Sequence, residues 1–333
     1  MPTLFTLHGG AFTVGSAADD DAWNRAFSDA YTVLVIALNY SKAPWAVFPG
    51  PLLDAEALYH AVLNDESLPI DRMRTALCGF DAGANLALGL AQLPSVKTGY
   101  DPSHHAGHER EYDMNPYPVA PPRSHPPPAA VISVCGILDF GMSATRKART
   151  RPYKRQLRGP RGWGPGLDWM ARLLPSSAWS YIPYGHDISD PLLSPAYASR
   201  GELPPHVFVV AAELDCLAHE SWRTACAWGG RAIPDPDVLV GRRGPSRWRG
   251  CLDDGSGENS VKFGWGETHT NALGTVEGTT RWLLVPDVVH GFDSAAWRNK
   301  YLWGDEQARM DSEMKTIAYQ RELAEWLWGT VWR

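Results

Sequence analysis

The chain has 333 residues, 44% of them apolar, 20% charged and 11% aromatic, which is ample for a buried core and excludes a mini-protein or a globally disordered chain. Thirty-one Lys and Arg against thirty-seven Asp and Glu leave a net charge of −6, so there is no overall positive field to hold a nucleic-acid backbone. The five cysteines, Cys78, Cys135, Cys216, Cys226 and Cys251, are odd in number and contain no C-x-x-C pair. That pattern describes neither a disulfide framework nor a zinc ribbon, and a reducing, cytoplasmic setting is the default. The longest apolar run, Ala129 to Leu138, is about half of the roughly 20 residues needed to cross a bilayer, and a strand-like segment follows Met1 almost at once. Neither a membrane span nor a signal peptide is expected.

In chain order, strand-length apolar runs fall at Leu4–Leu7, Thr32–Leu38, Arg74–Cys78, Ala129–Val134, Val207–Ala212 and Arg281–Val285. Helical stretches lie between them, around Ala22–Ala30, Pro51–Asn64, Gly83–Leu93 and Leu217–Trp228, and a last long one runs from Asp305 to about Trp328. This alternation predicts one α/β domain spanning residues 1–333, with a buried, mostly parallel sheet between helical layers. Three segments break the rhythm. Residues 99–128 are rich in Pro, His and charge and predict a mobile surface insertion; His104, His105 and His108 within it have no acidic or Cys partner at a metal-ligand spacing. Residues 141–191 begin basic and turn aromatic, with Trp163, Trp169, Trp179, Tyr181 and Tyr184, which suits a cap over a pocket. Residues 229–280 read as a Gly- and Arg-rich, loop-like insertion with no assignable chemistry.

His8-Gly9-Gly10-Ala11-Phe12 leaves the first strand directly, and glycines there let backbone N–H groups approach a ligand oxygen, as an oxyanion hole requires. Seventy residues on, Gly79-Phe80-Asp81-Ala82-Gly83 joins a strand to a helix with small residues flanking its centre, the form of a nucleophile elbow. Such a turn pushes the middle side chain above the sheet and makes the Ala82 N–H a further oxyanion donor beside Gly9 and Gly10. Asp215 and His290 each follow a strand, at the end of the sheet where open parallel sheets place their ligand crevice.

On these residues the chain resembles the α/β-hydrolase fold-3, or hormone-sensitive-lipase-like, esterases. The resemblance is carried by the two motifs above, by Asn39-Tyr40-Ser41-Lys42-Ala43-Pro44 with Phe48-Pro49 and Asp54, and by Asn85-Leu86-Ala87. It continues through Asp190-Pro191-Leu192-Leu193-Ser194-Pro195, Glu213-Leu214-Asp215 and His290-Gly291-Phe292, in the family's order over nearly the whole chain. The long Pro- and Gly-rich insertions are similar to those of fungal members. It implies a small-molecule hydrolase with a triad of nucleophile, acid and His at Asp81, Asp215 and His290, and no metal or organic cofactor. Two departures stand out. The family's elbow carries serine, where this chain has Asp81. The family also has two strands before the one that begins here, so Thr32–Leu38 should be an exposed apolar edge. Either the sequence is truncated or another chain covers that edge, and association into a homo-oligomer through it is expected.

A carboxylate attacking an ester carbonyl would form a high-energy mixed anhydride, so serine-esterase chemistry is closed to Asp81. Attack on a saturated carbon gives a stable alkyl ester that a His-activated water can cleave, as in epoxide hydrolases and haloalkane dehalogenases, which are similar in this respect. His290 between two carboxylates should rest as imidazolium and return toward neutrality once Asp81 is alkylated. Two other readings stay open: a non-hydrolytic cyclase or isomerase acting on an apolar natural product, and a catalytically dead ligand-binding homologue. Tyr153, Tyr181, Tyr184 and Trp163 are the candidate substrate-lining aromatics, and His8 is expected to orient the oxyanion turn.

Overall fold

The computed structural model describes residues 1–93, 125–163, 169–246, 249–252 and 260–333. Seven strands form one sheet: β1 (Thr3–Leu7), β2 (Leu34–Leu38), β3 (Thr75–Phe80), β4 (Ala130–Val134), β5 (His206–Ala212), β6 (Gly264–Thr270) and β7 (Val276–Val285), in the order β2-β1-β3-β4-β5-β7-β6. Every neighbouring pair is parallel except β6 with β7. The parallel strands are Val-, Ile- and Leu-rich because both of their faces are covered.

Alternation along each strand sorts the core into two layers. Phe5, Leu7, Leu77, Val131, Val207 and Val209 pack against α2 (Gly50–Asn64), α3 (Ala82–Gln92) and α6 (Ala218–Trp228). Leu4, Cys78, Ile132, Phe208 and Val210 face the other way, against α1 (Asp21–Tyr31) and α9 (Glu306–Trp326). All eleven residues of α3 are buried, which explains why it is apolar all round. Two more helices, α4 (Ala144–Arg149) and α5 (Trp169–Tyr181), belong to the expected cap segment; α7 (Ser260–Phe263) and α8 (Ala295–Tyr301) complete the set named here.

The α/β-hydrolase fold expected from the sequence is therefore present, and the differences from expectation are local. The 229–280 segment is not all loop: Gly264–Thr270 pairs antiparallel with an extended β7, from Gly264↔Leu283 to Thr270↔Val276. β6 alternates exposed and half-buried residues with Gly at two of seven positions, so it carries no apolar run. β2 lies at the sheet edge, as expected, with Leu34 to Ala37 half-buried. Of the Pro- and His-rich insertion, 99–124, including His104, His105 and His108, lies outside the described residues; His125 meets the Oδ1 of Asn64 at 2.9 Å. No disulfide joins cysteines among the described residues, and no described helix is long and apolar enough to cross a membrane.

Candidate active site

Register decides where the loops converge. Leu7 pairs with Gly79, Phe80 with Val134, and Ala212 with Val285, so the chain leaves β1, β3, β4, β5 and β7 at one end of the sheet. His8–Phe12, Asp81, Cys135, Asp215 and His290 are carried there by consecutive loops.

Asp81 caps α3 with φ 52° and ψ −115°, a conformation costly for a residue with a Cβ and typical of sites where strain positions a side chain. The turn closes because Gly79 has no side chain: a Cβ there would lie 2.1 Å from the Gly83 carbonyl oxygen. Backbone bonds lock it, with Asp81 N–H donating to the Val134 carbonyl at 3.0 Å and Ala84 N–H to the Asp81 carbonyl at 3.1 Å.

The turn after β1, the candidate oxyanion turn, is held in a similar way. Gly10 has φ 119°, and Thr13 and Val14 N–H groups both donate to its carbonyl. His8 packs within this turn: its ring lies 4.4 Å from Tyr40 in a stack, Nδ1 sits 2.6 Å from the Gly9 carbonyl, and Nε2 sits 3.1 Å from Asn39 Oδ1. Burial holds its pKa below the usual imidazole value.

The amides of this turn converge on Asp81 itself. Gly10 N–H and Ala11 N–H donate to Asp81 Oδ2 at 2.9 and 2.7 Å, so the carboxylate fills the hole that an ester carbonyl would need. Ala11, not Gly9, is the second donor on Asp81 Oδ2 beside Gly10. Gly9 instead supplies clearance, since a Cβ there would come 3.1 Å from Asp81 Cβ. Ala82, the third expected donor, is buried at the first position of α3.

Asp81 Oδ1 has no hydrogen-bond partner among the described residues and lies 3.6 Å from His290 Nε2. On its other side, His290 Nδ1 is 2.8 Å from Asp215 Oδ2, while Asp215 Oδ1 accepts the Leu217 N–H at 3.0 Å. Asp215 thus both braces the entry to α6 and orients the imidazole. Burial disfavours the imidazolium, but Asp215, Asp81 and Asp293 together outweigh it and raise the His290 pKa to about 9. The three carboxylates around it thus favour the imidazolium form of His290.

Several neighbours carry no obvious motif. Asp293 is buried behind His290 and accepts a 2.8 Å bond from Tyr319, which in turn receives Trp23 Nε1–H at 2.5 Å; burial holds its carboxyl above the usual range. Asp20, buried and near Asp293 and Asp81, is pushed up to about 8 by desolvation and these like charges. Cys135, at φ 50° after β4, offers the one described cluster of metal-ligating type, its Sγ lying within 4.8 Å of Asp215 and His290 ligand atoms. Asp215 and His290 already satisfy each other, so a cation there would have to break the 2.8 Å bond that orients the imidazole. The position of Asp293, three residues after His290, was the available signal; Asp20 and Cys135 had none beyond residue type.

The four candidate lining aromatics separate. Tyr181 is fully buried and stacks on Phe12 with ring centroids 3.9 Å apart, so it sits directly over the oxyanion turn. Tyr153 packs beneath the Arg151 guanidinium. Tyr184 is fully exposed and Trp163 half-exposed, which corrects their expected place in a pocket lining: neither is enclosed by the described residues.

Comparison with known proteins follows the same lines. The sequence profile of the alpha/beta hydrolase fold matches residues 4–231. A Mycobacterium tuberculosis protein assigned as the acetyl-hydrolase LipR is 28% identical over 231 residues, which cover 68% of this chain and 59% of LipR. The ethyl acetate hydrolase of Pseudomonas putida is 43% identical over 91 residues, 26% of this chain and 28% of that protein. The chain thus spans less than two thirds of the length of these relatives. Among solved structures, the esterase of Pyrobaculum calidifontis superposes with a TM-score of 0.58 at 18% identity, covering 98% of this chain and 76% of that one. Vibralactone cyclase gives 0.58 at 17% identity over 100% and 72%. With the profile matched over more than half its length, the chain belongs to the alpha/beta hydrolase fold family, in the fold-3, esterase- and acetyl-hydrolase-like group.

Proposed function

We propose that this protein is a small-molecule hydrolase that works through an alkyl ester on Asp81 rather than an acyl ester on serine. The single observation that supports it is the division of labour between the two carboxylate oxygens. Oδ2 is fixed by Gly10 and Ala11, whereas Oδ1 is bare and faces His290.

In the first step a lone pair of Oδ1 forms a bond to a saturated carbon of an apolar substrate, and the leaving group departs with its bonding pair on the far side. The ester is neutral, so one of the carboxylates holding the proton on His290 is lost, and the imidazolium gives up that proton to solvent; a halide leaves as the anion, whereas the alkoxide of an opened epoxide takes up a proton from solvent. Neutral Nε2 then takes a proton from water as the water oxygen adds to Cγ. Charge develops on Oδ2, which already lies between two amide donors, with Ala82 N–H proposed as a third. Collapse breaks the bond from Cγ to Oδ1, and the alcohol leaves with the proton from His290.

This path predicts where oxygen goes. In a single turnover in heavy-oxygen water, with excess enzyme over a terminal epoxide or primary haloalkane, one labelled oxygen should appear on the Asp81 peptide and none in the product hydroxyl formed at the attacked carbon. Label in that hydroxyl with none on Asp81 would overturn the covalent route.

A second reading is favoured by the charge state of His290. An imidazolium beside a free carboxylate oxygen is a ready acid and base pair for isomerisation or cyclisation. It predicts turnover without label on Asp81. Tight ligand binding without turnover, unchanged in Asp81→Asn, would instead point to a binding protein.

A further inference from the structure

The acid and the histidine ride on two separate loops, after β5 and after β7, and something must hold the loops in step. Glu213 stands two residues before Asp215, and Asp287 three before His290. Backbone contacts join the loops at their roots: Glu213 N–H donates to the Val285 carbonyl at 2.9 Å and Leu214 N–H to the Val288 carbonyl at 3.0 Å. The Glu213 carboxylate spans the gap beyond, with Oε2 accepting the Asp287 N–H at 2.7 Å and Oε1 the Arg242 N–H at 2.7 Å. Asp287 has φ 56°, a left-handed conformation that a residue with a Cβ keeps only under constraint, and its Oδ2 accepts the Ser246 N–H.

A cation completes this arrangement. Lys154, from the cap segment between α4 and α5, has a side chain with no exposure to solvent. Its Nζ lies 2.6 Å from Glu213 Oε2 and also contacts Asp287 Oδ1. Burying an ammonium and two carboxylates is costly, and an apolar residue of similar volume would fill the space at less cost to stability.

We propose that Lys154 is a positioning residue: its ammonium pins the Asp215 loop to the His290 loop through Glu213 and Asp287, and so sets the bond between Asp215 and His290. This rests on the assignment of Asp215 and His290 to the site but not on Asp81 being a nucleophile. The link also ties the cap to the catalytic loops, because the residue that clamps them belongs to the cap.

A role in charge balance alone and a role in positioning give opposite signs at His290, which faces Asp81, Asp215 and Asp293. Removing a nearby cation raises the affinity of His290 for its proton, whereas loosening Asp215 lowers it. The test is an NMR titration of ring-labelled His290 in Lys154→Met and in Lys154→Met/Asp287→Asn, the second of which restores the net charge of the buried cluster. Positioning predicts that His290 titrates at least one pH unit lower than in the parent protein in both variants, and that the low-field proton between Nδ1 and Asp215 broadens or disappears. A titration unchanged or shifted upward in the double variant overturns the proposal. So does loss of folding in both, which would make Lys154 a residue of the fold. Because the readout needs no substrate, a failure of the label experiment on Asp81 leaves it standing, and the reverse also holds.

Discussion

The two halves of the site are built from different materials. The elbow and oxyanion turn are held by backbone: Gly10 at φ 119°, Asp81 at φ 52°, and a Gly79 with no room for a methyl group. The acid and histidine half is held by buried charge: Asp215 on His290, and Lys154 between Glu213 and Asp287. Steric construction tolerates no side chain but is indifferent to pH and salt. Charge construction tolerates changes of shape and responds to protonation. A serine in the first half would leave the second unchanged in form, which explains how an aspartate can be accommodated at the elbow: the amides that would stabilise an oxyanion have a carboxylate oxygen to bind instead.

The largest effect expected from perturbing this pairing is a gain of function. Asp81→Ser empties the Gly10 and Ala11 donors and supplies a hydroxyl within reach of His290. Hydrolysis of p-nitrophenyl acetate should rise by about 10²-fold or more over the parent protein, the scale at which an oxyanion hole contributes. Burst titration should show one acyl group per chain, and no gain would mean that the two halves do not cooperate. Gly79→Ala should cost about 4 kcal/mol through the clash with the Gly83 carbonyl, read as a fall in denaturation midpoint that pH leaves unaltered.

The charge-built half should respond to pH with a definite sign. His290 has its pKa raised from 6.5 to about 9, so its contribution is fully present below pH 6.5 and is lost as pH rises through 9. Over that window stability should fall by about 3 kcal/mol in the parent protein relative to His290→Gln. The comparison of the two is needed because Asp20, pushed up to about 8, also loses its contribution as pH rises. An equal pH slope in both proteins would remove the evidence for a charged resting histidine.

The smallest effect is expected away from both halves, at the β2 edge. Leu34 N–H pairs with the Pro2 carbonyl, so by alternation the Val35 N–H points outward from the sheet. We expect self-association along this edge, weakened by Val35→Pro at little cost to the pairing of β1 with β2. Light scattering showing the same monodisperse monomer for both proteins would argue against it.

The same contrast explains what was legible in the sequence. Continuous apolar runs marked six of the seven strands, and the glycines of His8–Phe12 and Gly79–Gly83 announced the backbone-built half, because only glycine meets those constraints. β6 escaped because an exposed strand with Gly264 and Gly266 has no apolar signature. The donors on Asp81 are Gly10 and Ala11, one residue on from the expected Gly9 and Gly10, because a run of small residues after a strand does not mark which amides turn inward. Lys154 and Asp20 were invisible for the general reason that a buried ion is recognised by its partner, and here the partners are 59 to 133 residues away for Lys154. Aromatic content likewise suggested a pocket lining but did not separate buried Tyr181 from exposed Tyr184.

The central claim is that the Asp81 carboxylate adds to Asp215 in holding a proton on His290, and titrating His290 by NMR in the parent protein and in Asp81→Asn tests it most directly. The amide keeps an oxygen for the Gly10 and Ala11 donors and removes the charge, as an alkyl ester would. A pKa near 9 in the parent, falling by at least one unit in the variant, is the expected result. The same value in both proteins would contradict the coupling on which the proposed chemistry depends.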